Sequence, residues 1–132
     1  MKTKKIVSTL ASSAIFLVAQ AANATDVTVT IRNLSSEMMT GSSSDFPTRL
    51  APGETATVKL NFFHDTSYVN VSYSTGSKTC HFAGSHRVWS DTRVEFEKSA
   101  TSNDGRNNCY ALQSVYRWSS PYDYVLTFQM TD

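Results

Sequence analysis

Residues 66–82 read TSYVNVSYSTGSKTCHF, and this stretch decides the fold. Val69, Val71 and Tyr73 alternate with Tyr68, Asn70 and Ser72, which is the two-residue period of a strand that buries one face. Ser74-Thr75-Gly76-Ser77 is a turn of small residues, with Gly76 free to take a positive φ. Lys78-Thr79-Cys80-His81-Phe82 then returns with Cys80 and Phe82 on one face. A β-hairpin is expected here, carrying one of the chain's 2 cysteines.

Upstream of this hairpin the same period recurs. Residues 26–33 place Val27, Val29 and Ile31 on one face and Thr28, Thr30 and Arg32 on the other. Residues 34–45 are polar and hold a Gly41-Ser42-Ser43-Ser44 tract, so a loop or weak edge is expected. Residues 46–50 read as a short edge strand interrupted by Pro47. Ala51-Pro52-Gly53-Glu54 has Pro and Gly where a tight turn uses them, and residues 55–63 follow with Ala56, Val58, Leu60 and Phe62 toward the core.

Downstream, residues 87–89 and 92–97 offer Val88, Val94 and Phe96 as core positions. Residues 99–108, with Asp104-Gly105, read as an exposed loop. Tyr110, Leu112, Tyr116 and Trp118 share one face of the next strand, and Cys109, Ala111, Gln113 and Val115 the other. Ser119-Ser120-Pro121 turns the chain into a last strand over 122–130, with Tyr124, Leu126, Phe128 and Met130 in register. No segment sustains a helical apolar period. Seven or eight strands, each with one apolar face to bury, predict an all-β, antiparallel β-sandwich, with a small closed β-barrel as the alternative.

The first 24 residues read differently. Lys2, Lys4 and Lys5 precede an apolar run, diluted by Ser8, Thr9, Ser12 and Ser13, that ends in Ala22-Asn23-Ala24. This is the pattern of a cleaved secretory signal peptide, and the run is a poor permanent membrane span. A single domain over 25–132 is expected, secreted or periplasmic, and the style of the leader suggests a bacterial source. Export makes a disulfide between Cys80 and Cys109 the expected state of the two thiols. The leader holds three of the 12 basic residues and none of the 11 acidic ones, so the remainder is slightly acidic. No basic cluster is present to suit nucleic acid or an anionic membrane surface.

Motifs for chemistry are weak. There is no Gly-x-Ser-x-Gly elbow, HExxH or phosphate-binding glycine loop. Thr75-Gly76-Ser77-Lys78 matches a Ser-x-x-Lys nucleophile arrangement only in spacing. His64, His81 and His86 read as surface or edge histidines, and Glu95 and Glu97, on one strand face with Arg93, as a solvated strand face. No catalytic residue, metal site or cofactor is assigned.

One interaction signal remains. Tyr116, Arg117, Trp118 and Tyr122 surround the turn at 119–121, where flat rings with polar tips suit sugars or a lipid interface and Arg117 suits an anionic group. The competing expectation is that Tyr116, Trp118 and Tyr124 fill the core. The preferred function is an exported, non-enzymatic binding domain that recognises an envelope, carbohydrate or protein ligand through its loops and aromatic turn. Two segments, VTVTIRNLSS at 27–36 and LAPGETATV at 50–58, resemble the aegerolysins and other small cytolysin sandwiches. That resemblance implies a membrane-interacting β-sandwich as an alternative. A further alternative is a periplasmic inhibitor or immunity-type protein that inserts the 99–108 loop into a partner.

Overall fold

The computed structural model describes residues 2–6, 25–63 and 65–132. The strands are β1 (Lys2–Ile6), β2 (Thr25–Leu34), β3 (Met39–Gly41), β4 (Arg49–Leu50), β5 (Thr55–Phe62), β6 (Thr66–Thr75), β7 (Lys78–Ser90), β8 (Arg93–Ser102), β9 (Cys109–Val115) and β10 (Tyr124–Thr131). They form two five-stranded sheets, ordered β1-β5-β2-β10-β9 and β4-β3-β6-β7-β8, that pack face to face as a β-sandwich and do not close into a barrel. All pairings are antiparallel except β2 with β10, which run parallel from Val27 opposite Tyr124 to Leu34 opposite Thr131. The apolar run and small-residue end of the expected leader, residues 7–24, lie outside the described residues.

The core follows from alternation. Val27, Val29 and Ile31 of β2, Val58, Leu60 and Phe62 of β5, and Leu126, Phe128 and Met130 of β10 face Val69, Val71 and Tyr73 of β6 and Phe82 of β7. Phe82 and Phe128 stack across the two sheets at 4.9 Å and 12°. At one end of the sandwich Cys80 and Cys109 form a disulfide that joins β7 to β9 and so ties one sheet to the other. At the opposite end Phe96, His86, Tyr122 and Tyr124 form a ring cluster.

Several boundaries differ from the sequence expectation. Of the loop or weak edge expected over 34–45, Met39–Gly41 is a short strand that pairs with β4 and β6, and buried Asn33 fixes its approach. Asn33 donates from Nδ2 to the carbonyls of Glu37 (2.8 Å) and Leu50 (2.9 Å) and accepts from Ser35 through Oδ1, so one side chain replaces missing ladder bonds. Beside Pro47, only Arg49–Leu50 of the segment 46–50 pairs. The loop expected over 99–108 is shorter, because β8 continues to Ser102 alongside Cys80–Ala83. Small polar residues carry little strand signal, but a neighbouring strand supplies their backbone partners. Val88, Val94 and Phe96 are half-buried and not fully core. Gly53 and Gly76 hold φ of 84° and 56°, as their turns require.

Candidate functional site

The aromatic end is built from two connections. One is the tight turn Asp91-Thr92 between β7 and β8. The other is the segment 116–123 between β9 and β10, pinned at its base by Tyr116 N–H donating to the Asp123 carbonyl (3.1 Å). Within it Asp123 N–H donates to the Pro121 carbonyl (3.1 Å), and the Ser120-Pro121 bond is cis. Asp123 Oδ1 accepts from the backbone N–H of Asp26 (2.9 Å), and Oδ2 lies 4.0 Å from Arg117 Nε. Partial burial raises the Asp123 carboxyl above the usual range, with the Asp26 N–H and Arg117 opposing the rise.

Between these connections lies a groove of about 270 Å³, lined by Ser90, Asp91, Thr92, Arg93, Val94, Trp118 and Tyr122. Trp118 is 65% exposed, yet its ring meets that of Phe96 at 5.0 Å in a T-shaped contact, so the indole is braced on one side and largely open to solvent. Tyr122 is half-buried against His86, ring centres 5.4 Å apart. Tyr116 is 70% exposed and Arg117 points outward. The expectation that Tyr116 and Trp118 fill the core is therefore overturned; of the three rings weighed there, Tyr124 alone is buried. Tyr116 keeps the parity of Tyr110 and Leu112, which is the outward face of β9, and Trp118 follows in the irregular segment 116–123 before β10 begins.

Beside the groove stands a second indole. Trp89 is half exposed and has two guanidiniums over its ring, Arg87 at 4.4 Å and Arg93 at 5.3 Å from its centre. Its Nε1–H donates to Glu95 Oε1 (2.8 Å), and Arg93 Nη2 donates to Glu95 Oε2 (2.7 Å). Those two donors, the indole first, hold the Glu95 carboxyl below its usual range. Arg93 thus belongs both to the Trp89 cluster and to the groove wall. Sequence reasoning read Arg93 and Glu95 only as a solvated face; an exposed Trp next to a two-residue turn was the available signal.

The histidines separate. His81 is exposed and its Nδ1 lies 2.7 Å from Ser72 Oγ. His86, expected at the surface or an edge, is 1% exposed. Its Nδ1 lies 2.7 Å from Ser67 Oγ, which is 2.6 Å from the Tyr124 hydroxyl. The alternation of β7 continues inward through Gly84 to residue 86, and the aromatic cluster receives the imidazole. His64 lies outside the described residues. Among the described residues no three of His, Cys, Asp and Glu converge as a metal site.

The Thr75-Gly76-Ser77-Lys78 stretch is the β6–β7 turn, where Lys78 Nζ donates to the Thr131 carbonyl (3.2 Å). No described helix is long and apolar enough to cross a membrane. No protein-family model matches this sequence, and no curated protein matches it either.

Proposed function

We propose that this chain is an exported, non-enzymatic binding protein whose aromatic end recognises a carbohydrate of the cell envelope. The observation that carries the reading is the braced, open ring of Trp118 in a groove whose other wall is Ser90, Asp91, Thr92 and Arg93. A flat apolar ring facing a hydroxyl, a carboxylate and a guanidinium is the combination that takes the C–H face of a pyranose while its hydroxyls find donors and acceptors. The Cys80–Cys109 disulfide fits an oxidising compartment outside the cytoplasm.

Trp118→Ala tests it. The variant loses at least about tenfold in affinity for a groove-binding glycan on an array or by calorimetry, equivalent to about 1.4 kcal/mol. Its melting temperature falls only slightly, since an edge-on ring contact is worth roughly 0.5–1.5 kcal/mol. Unchanged glycan binding by Trp118→Ala would remove the groove from consideration.

A second reading has its own observation. Tyr110, Leu112 and Tyr116 form an exposed row on the outer face of β9 and beyond it, leading to Trp118. Such a row suits a lipid interface. Flotation with neutral phosphatidylcholine vesicles separates the two: comigration of the protein favours the membrane reading, and glycan binding without comigration the carbohydrate one.

A further inference from the structure

The outer face of the β6-β7-β8 sheet is not flat. Two depressions, of about 350 and 170 Å³, lie along β7 and share Ser85 and Glu97. Their cause is on the inner face. Gly84 packs so closely on Leu126 of the opposite sheet that a Cβ at this position would collide with the Leu126 side chain. Beside it, Gln113 Nε2 of β9 reaches the carbonyl of Ser85 (3.4 Å). The middle of β7 packs closely against the other sheet, and the outward side chains there are only Ala83 and Ser85. The result is a trough.

Its walls follow from register. Tyr68 of β6 lies opposite Ser85, which lies opposite Glu97 of β8; Thr66, Arg87 and Glu95 form the next row. Tyr68 is 59% exposed, and neither it nor Glu97 has a side-chain hydrogen bond or ion pair among the described residues. The trough ends at Arg87 and Glu95; next to them stands Trp89, with Arg87 over its ring, and its other partner, Arg93, lines the end groove. Trp89 lies four positions after Ser85 along β7, and Tyr68 one strand across from Ser85, so the Tyr68 and Trp89 rings start from backbone about 14 Å apart. That spacing suits an oligomer, not a single ring.

Charge and backbone select the occupant. Arg87 and Lys98 are balanced by Glu95 and Glu97 around an uncharged floor, which suits a ligand without net charge. Every residue of β7 from Cys80 to Val88 is paired with β8, and β6 covers the other side, so the face offers no free ladder for a peptide strand.

We infer that the trough over β7, between Tyr68 and Trp89, is an extended subsite for a neutral oligosaccharide chain whose end occupies the Trp118 groove. This rests on the carbohydrate reading of that groove and extends it to chain length. A ring stacks on Tyr68 while its hydroxyls meet Glu97 and Ser85.

Calorimetry on the full chain, as exported, with the disaccharides and hexasaccharides of neutral cello-, malto- and chito-series tests it. In the series that binds, the hexasaccharide is about tenfold tighter than the disaccharide. Tyr68→Ala and Glu97→Gln remove most of that advantage and leave the disaccharide unchanged, whereas Trp118→Ala weakens both. Equal affinity for the two lengths, with Tyr68→Ala silent and Trp118→Ala damaging, overturns the trough and leaves the groove standing. No binding of any of these sugars to the unmodified protein overturns both.

Discussion

His86 sits wholly inside the aromatic end, with Phe96, Tyr122 and Tyr124 around it and Nε2 without a partner among the described residues. Burial pulls its pKa down from 6.5 to about 4, against the opposing charge of Asp65. The unfolded chain therefore binds a proton that the folded chain refuses between these two values. Stability is fully present above pH 6.5 and is lost progressively as the pH falls toward 4, by about 3 kcal/mol from this group. Carboxylates titrate in part of the same range, so the comparison that isolates His86 is with His86→Phe, which keeps a ring in the cluster. Urea midpoints at pH 7 and pH 4 are expected to move much less in the variant than in the parent chain. Equal shifts would assign the acid sensitivity elsewhere.

Strands with a continuous apolar stripe were legible from sequence because their alternation is itself the packing instruction: β2, β5, β6 and β10 bury the faces expected of them. The short β3 and the end of β8 were not, since Met39–Gly41 and Ser99 to Ser102 become strand only when a neighbour supplies backbone partners. The candidate site was half legible. Trp118 and Tyr122 announce themselves around a turn, but Tyr68, Trp89 and Glu97 are ordinary outward positions until three strands align them. Strand β1 poses the opposite question. It pairs only along Val58–Phe62 of β5, and β5 is already paired on its other side from Thr25 to Arg32 of β2. A chain beginning at Thr25 is expected to keep its β-sheet circular dichroism, its disulfide and its melting temperature within a few degrees. It leaves β5 as an open edge with Lys59 exposed on it, a charge of the kind that discourages edge-to-edge pairing. Aggregation or loss of structure on this truncation would make β1 a structural strand and not part of a leader.

At the scale of the whole molecule the two ends are built differently. The disulfide closes a loop of 29 residues at the end where β7 and β9 meet, while the groove lies at the other end beyond the Phe82–Phe128 stack. Restricting the unfolded chain by a loop of that size contributes roughly 3–4 kcal/mol, a large share of the stability of a domain this small. Cys80→Ala combined with Cys109→Ala should lower the melting temperature by roughly 10–20 °C. Both positions are buried, and alanine leaves no polar atom there to satisfy. The effect on recognition should be different in kind: a crosslink that acts on the unfolded ensemble leaves the folded groove as it was. Measured well below its new melting point, the double variant is expected to bind glycan with unchanged affinity, while thermal melts show the loss. If affinity falls together with stability under those conditions, the bond at one end shapes the geometry of the other, and the sandwich cannot be divided into a fastened end and a recognising one.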